Sequence, residues 1–335
     1  MLKALKKEYL ILLVIIVALS AYLMLRPSDQ TRYQLPQIDA IDTDALTKIE
    51  IAGPDETLVI EKVKKSWLIM PQKYELASET SREMLAALKD FKTTALASEA
   101  RAYERYDLND DRKITVKAFA SDQLKRHFEV GKQAPSFKHA FVKLADDHRV
   151  YHSGQNIRRT FEKELDDLRD KSILNIAATD VTEISVTAKN ATINFKRQLS
   201  QPKTHDKKDA KKDAKKEATP EPAKVTWINP GGPNGDPAKI DKLLTTLADL
   251  KCAQFIYDRK KADFSEPAYT LTIKSPKPHT LNLFSEGVKK DNDIPATSSE
   301  QNDAFYLQTW KANEIKEAIN SILGIKPKEE AKESK

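Results

Sequence analysis

The chain from Tyr9 through Leu25 reads YLILLVIIVALSAYLML, carries no charge, and is broken by one clear polar residue, Ser20. As an α-helix these 17 residues span roughly 26 Å, close to the ~30 Å hydrocarbon core of a bilayer. Lys7 and Arg26 flank the run and can snorkel to the two interfaces. The pattern predicts a single transmembrane helix within residues 1–26. Lys3, Lys6 and Lys7, offset only by Glu8, place the short N-terminus on the cytoplasmic side and the body outside. A cleaved signal peptide is the alternative, with residues 10–17 as its apolar segment and Ala18-Leu19-Ser20 as its cleavage site. Tyr22-Leu23-Met24-Leu25 continues the apolar run past that site, which favours a retained anchor. No Cys follows the apolar segment to accept a lipid.

Residues 27–45 are polar and contain Pro27 and Pro36, as in a connector. Leu46-Thr47-Lys48-Ile49-Glu50-Ile51 then alternates with period two, the pattern of a half-buried strand. Gly53-Pro54-Asp55 turns it back into Leu58-Val59-Ile60, so a hairpin is expected, followed by Trp67 and Pro71. A helix comes next, with Thr80 and Glu83 spaced as a capping box and Met84, Leu85, Leu88 and Phe91 on one face. Ile114-Thr115-Val116, Phe128-Glu129-Val130 and Phe141-Val142-Lys143-Leu144 predict further strands. A second helix is expected over about 154–170, with Ile157, Phe161, Leu165 and Leu168 on one stripe.

The same order of elements recurs. Val181-Thr182-Glu183-Ile184-Ser185-Val186 repeats residues 46–51 at an offset of 135, and Leu58 and Ile60 fall on Ile193 and Phe195 at that offset. Trp67 pairs with Trp227 at an offset of 160, because residues 200–224 are inserted. Beyond the insertion Leu85, Leu88 and Phe91 map to Leu244, Leu247 and Leu250, with Asp236-Pro237 placed to cap the second copy's helix. The fold class expected is α+β: an N-terminal transmembrane helix, then two tandem, similar antiparallel sheet-plus-helix domains at 46–174 and 181–323. The insertion, KKDAKKDAKKEATPEPAK at its centre, has no apolar face, so disorder or a flickering exposed helix is expected; residues 324–335 form a charged, disordered tail.

Charge refines this picture. The net charge is +6, of which residues 1–26 and 203–217 supply +3 each, leaving the remainder neutral. A neutral body argues against nucleic-acid binding, which needs concentrated cationic charge. The single cysteine, Cys252, permits no intramolecular disulfide and reads as a small buried hydrophobe.

Candidate chemistry is sparse. Asp107-Leu108-Asn109-Asp110-Asp111 resembles the start of a calcium loop, but the sixth position is Arg112 rather than Gly and the twelfth is Ala118 rather than Glu. His148 and His152, with His139 nearby, invite a zinc site. Arg149-Val150-Tyr151 reads as a strand, however, which separates residues four apart by roughly 13 Å. No Gly-x-Ser-x-Gly, His-Glu-x-x-His, phosphate loop or Cys-x-x-Cys occurs. Accordingly no catalytic, cofactor-binding or metal residue is assigned, and no cofactor is expected. Trp67 and Trp227 are read as packing over their own sheets or, alternatively, as exposed rings for a sugar or a protein; Trp310 carries the same ambiguity.

Trp67 with Pro71, Tyr106-Asp107-Leu108 followed by Ile114-Thr115-Val116-Lys117, and Val130-Gly131 together resemble the bacterial family called domain of unknown function 4340. Trp227, Pro230 and the segment from Phe264 to Pro267 are weaker counterparts. The resemblance covers roughly residues 46–323 and departs at the Lys-rich insertion and in a shortened final segment of the second copy. Members of that family are often encoded beside gliding-motility-type ABC transporter components, which implies an envelope accessory role and carries over no catalytic residue. The expectations are therefore a non-enzymatic accessory or scaffold protein of the bacterial inner membrane, single-pass, with its body periplasmic. Its partners would be an inner-membrane protein, such as an ABC transporter component, and lipid along Tyr9 to Leu25, with no nucleic acid. The alternatives are an envelope glycan- or lipid-binding module using Trp67, Trp227 and the Lys-rich run, and a hydrolase with an unfamiliar site.

Overall fold

The computed structural model describes residues 7–25, 33–189, 191–199, 225–285 and 293–325. The expectations for the cytoplasmic residues before Lys7, the start of the connector, the Lys-rich insertion and the tail beyond Ile325 lie outside the described residues. The chain divides into two compact units, one ending at Leu165 and the other beginning at Asp166.

The first unit is built on one nine-stranded antiparallel sheet. Its strands in chain order are β1 (Lys48–Ala52), β2 (Thr57–Val63), β3 (Ser66–Met70), β4 (Tyr74–Glu75), β5 (Thr93–Ser98), β6 (Ile114–Ala120), β7 (Gln123–Gln133), β8 (Ala140–Leu144) and β9 (Val150–Ser153). Across the sheet they stand in the order β4-β3-β2-β1-β6-β7-β8-β9-β5. Alternation sets the register: Ile49 and Ile51 are buried, and they face Ile60 and Leu58 on β2 and Ala118 and Val116 on β6. Because side chains alternate with period two, a slip of one residue would expose this entire face, so the pairing is strongly specified.

Helix α1 (Lys7–Leu25) precedes that sheet, and α2 (Ser78–Lys89) follows β4, turning Met84 and Leu88 into the core. Beneath it Phe91 stacks on Phe128, ring centroids 4.1 Å apart, and Phe161 meets Phe128 edge-on at 5.9 Å. The capping box does not form; the helix starts after Ala77 without a side-chain cap, and Thr80 is buried instead. The long helix expected over 154–170 is replaced by two single turns, α3 (Arg158–Phe161) and α4 (Leu165–Leu168). Glu162 leaves helical geometry, and Lys163 ion-pairs with Glu83 on α2, so the charged run between the turns is held by tertiary contact.

The second unit contains β10 (Ser172–Asn175), β11 (Glu183–Ala188), β12 (Ala191–Leu199), β13 (Val225–Ile228), α5 (Pro237–Leu247), β14 (Asp249–Lys251), β15 (Gln254–Phe255), β16 (Tyr269–Ser275), β17 (Lys277–Leu283), β18 (Ile294–Ser298), β19 (Phe305–Leu307) and α6 (Thr309–Leu323). Eight strands form one sheet in the order β13-β12-β11-β16-β17-β18-β19-β15, and β10 pairs with β14 apart from it. Read from β3 onward, the first sheet has the same order. Trp67 stands opposite Lys62, and Trp227 opposite Arg197, positions 135 apart on the second strand of each sheet. The Asp236 side chain accepts from the Ala238 amide at 3.0 Å and Pro237 opens α5, as the Asp-Pro pair predicts. Ile240, Leu243 and Leu247 of α5 and Ile315 and Ile319 of α6 share one core cluster with Trp227 and the sheet. Gly324, with φ +70°, ends α6 in the left-handed conformation that a residue without a Cβ adopts freely.

Two expectations are corrected here. Strands dominate both units, so the α+β class gives way to a mostly β fold with a few helices, because in each unit the strands outnumber the helices. Among the described residues no helix is long and apolar enough to cross a membrane, which removes the transmembrane anchor and with it the single-pass inner-membrane localisation. The physical margin is narrow: α1 has 19 residues, but Lys7 and Glu8 occupy its first turn. The uncharged remainder gives about 26 Å of helix against the ~30 Å required.

Gly131 on β7 shows how tightly the first unit is assembled. A Cβ there would overlap the Tyr106 carbonyl oxygen and lie 2.9 Å from Leu108 Cγ. Gly131→Ala should therefore destabilise the protein by about 1–3 kcal/mol in urea unfolding, since overpacking forces the backbone to shift. Gly53→Ala, whose nearest neighbour would be 3.6 Å away, should change stability by no more than about 0.5 kcal/mol.

Candidate functional site

The residues singled out in the sequence fall mainly into structural roles. Trp67 is 7 % exposed and Trp227 1 %, so neither ring can stack on a sugar or grip a protein; the alternative that relied on their exposure is corrected. They are buried because β3 and β13 turn these positions inward against their own sheets. Trp310, at 63 % exposure, is the tryptophan of the three that is left open. Asp107 is ion-paired to Arg112 at 3.1 Å and Asp110 to Lys113 at 2.6 Å, so the calcium-like loop is a turn closed by its own cations. His139 donates from Nδ1 to the Ser153 carbonyl, its ring centroid 6.1 Å from that of His152, while His148 is exposed two residues before β9. No group of three His, Cys, Asp or Glu among the described residues is placed to hold a metal ion. Cys252 is buried, and burial, aided by the nearby Asp166 charge, pushes its thiol up to about 12.

Two cavities in the first unit bring charged side chains together. The first, of about 620 Å³, lies where the turn at 103–108 meets β7 and β8. Its floor is an ion triad: Glu129 takes Lys113 on one oxygen at 3.1 Å and Lys143, its neighbour across the β7–β8 ladder, on the other at 2.8 Å. Arg101, Arg105, Glu104 and Tyr103 form the walls. Tyr103 lies 5.8 Å from the Lys143 ammonium and donates its hydroxyl proton to the His148 carbonyl at 3.1 Å. The arrangement is open and carries four cations, Arg101, Arg105, Lys113 and Lys143, against three acids, Glu104, Asp110 and Glu129, suited to holding a charged partner group at its rim.

The second cavity, of about 480 Å³, is enclosed by residues 36–41, by Phe91, by 124–127 of β7 and by 144–147. Part of the segment read as a connector is thus held against the sheet. Arg126 is 8 % exposed; its Nη2 donates to the Asp39 carbonyl at 2.7 Å, and its guanidinium carbon lies 5.8 Å from the Phe91 ring centroid. Burial lowers its pKa, and the Asp39 charge opposes that. On another wall Asp147 accepts two bonds from Arg149 Nε and Nη2, and one from the Tyr151 hydroxyl at 2.7 Å. The Arg149 bonds hold the Asp147 carboxyl well below the carboxylate range, and burial with the Asp147 bond pushes the Tyr151 phenol above its own.

Sequence reasoning missed Arg126, although a signal was present. It sits two residues before Phe128 and four before Val130, in the inward phase of a strand. In the second unit His279 stands likewise in phase with Leu281 and Leu283. It is buried and bonded through Nδ1 to Glu300 at 2.9 Å and through Nε2 to the Ser275 carbonyl at 3.0 Å. Arg169, 5 % exposed, lies 3.5 Å over the Phe255 ring and bonds Asp303 and Tyr257.

The fold thus defines a protein of two antiparallel-sheet units with matching strand order, each roofed by short helices. Residues 67–272 match the family described as Domain of unknown function (DUF4340), more than half of the chain, and the chain belongs to that family. No curated protein and no solved structure matches it.

The Asp147 network yields a pH prediction. Its carboxyl pKa is lower in the folded than in the unfolded chain, so its contribution is complete above the ordinary value of 3.8 and is lost as pH falls towards the folded-state value. At pH 7 Asp147→Asn should cost about 1.5–3 kcal/mol, the usual worth of bonds to a charged group. The gap between variant and parent, followed by urea unfolding, should narrow as pH drops below 4.

Proposed function

We propose that the protein is a non-enzymatic accessory protein that works by contact, with α1 as its docking element. The observation that carries this is the surface of α1. Ile11, Leu12, Leu13, Val14, Ile16, Val17 and Leu19 are each between 52 % and 61 % exposed, and they point to every side of the helix. A helix apolar all round is stable in water only when another body covers it. The partner proposed is a component of a membrane transport assembly, the class that the family resemblance implies. The folded units, with charged groups largely matched by neighbouring charges, serve as the scaffold this helix brings to the partner.

Lipid is the second reading for the same surface, since seven apolar side chains would bind an acyl phase as readily as a protein groove. Two preparations separate the readings. Affinity purification of the full chain from gentle detergent extracts should recover a transport component. Leu13→Glu with Val17→Glu should lose it, without a change in melting temperature, because both positions are exposed. Recovery of the protein alone would overturn the proposal. Flotation with vesicles but no protein partner would transfer the function of α1 to lipid.

A further inference from the structure

We infer that the 480 Å³ cavity beside Arg126 is a binding site for a ligand with an apolar body and a single carboxylate, seated with the carboxylate at the Arg126 guanidinium. This goes beyond the docking role of α1 and does not depend on it.

The first argument is charge. Arg126 is more than nine-tenths buried, yet no carboxylate among the described residues forms an ion pair with it. Of its donors, Nη2 serves the Asp39 carbonyl, while Nε is enclosed without a hydrogen-bond partner. A guanidinium largely out of water with no carboxylate in contact is costly: the Asp39 charge acts on it only from beyond ion-pair distance, and its direct neighbours are a carbonyl and the Phe91 ring. An arriving carboxylate would supply that charge with geometry a guanidinium fork matches well.

The second argument is shape and lining. A volume of about 480 Å³ lies within the range of small-molecule pockets. Pro36, Ile38, Ile41, Phe91, Leu124 and Leu144 give it apolar surface beside its charged groups, so a fully polar anion such as free phosphate would leave that apolar surface unmatched. The acids present do not occupy Arg126. Asp147 is already satisfied by Arg149 and Tyr151, while Asp39 and Asp146 are exposed and neither forms an ion pair with Arg126. One buried cation beside apolar side chains, on a wall whose acids are exposed or already bonded, selects a lone anionic head on an apolar body.

That chemistry has two sources, a fatty carboxylate or the free C-terminus of an apolar peptide. The test uses the full chain, with decanoate and 1-decanol as one pair. The other pair is an N-acetylated tetrapeptide ending in leucine as the free acid and as the amide. Binding is measured by titration calorimetry and located by amide NMR shifts. At least one acid should bind saturably at one site and shift the amides of Ile38, Leu124, Arg126 and Leu144. Its neutral counterpart should bind at least about tenfold more weakly, as expected for the loss of a bond to a charged group. The acid that binds identifies the source. Arg126→Gln, which keeps a donor for the Asp39 carbonyl, should lower affinity by a similar factor. Leu144→Trp, which fills the chamber and leaves Arg126 in place, should abolish binding and decides the matter if the Arg126 variant does not fold. Equal binding of acid and neutral forms, shifts confined to α1, binding unchanged in Leu144→Trp, or no binding by either acid would overturn the inference.

Discussion

The constraint on which the molecule rests is the register of two central strand pairs, β1 with β6 and β11 with β16. In each, alternate residues face one core, and a partner strand on either side repeats the alternation: Ile51 against Leu58 and Val116, Val186 against Ile193 and Leu271. Hydrophobic burial then acts on the sheet as a whole, since every inward position is fixed once one pair is fixed. The helices are secondary to this. They cover a face the strands have already defined, which explains why α3 and α4 can shrink to single turns without opening the core.

On that frame, each unit places a few charged or polar groups on the inward phase of its strands. Arg126 and His279 both take positions that alternation reserves for apolar side chains, each on the strand that follows the central one. They are handled differently. His279 is bracketed by a carboxylate and a carbonyl, so both ring nitrogens have partners. Arg126 has a carbonyl, an aromatic face and a cavity. The two sheets share a strand order but not the chemistry of their inner faces.

The motif residues that carry the family resemblance belong to this packing. Gly131 admits the backbone of Tyr106, and Leu108 lies over it; Tyr106 in turn tilts against Phe141 at 4.8 Å. Asp107 takes a left-handed conformation at the close of its turn, and Glu266 does the same before β16. The signature is thus one of assembly: a turn pressed onto a strand at a point where only a missing side chain leaves room.

Much of this was legible in local pattern. Period-two alternation located β1, β2, β6, β7 and β8, the Asp-Pro pair placed the start of α5, and motif residues identified the family, because each depends on near neighbours along the chain. The short final helices were not legible, since the apolar stripe from Ile157 to Leu168 is compatible with one helix until Lys163 reaches Glu83. Nor could composition decide whether the apolar run near the start crosses a bilayer, a question of a few ångströms of helix length. Whether Trp67 and Trp227 face in or out, and that the segment 36–41 lines a cavity beside Arg126, were settled by tertiary structure alone. Alternation tells which residues share a face, but burial is a property of what lies against that face, and those contacts come from segments far apart in sequence.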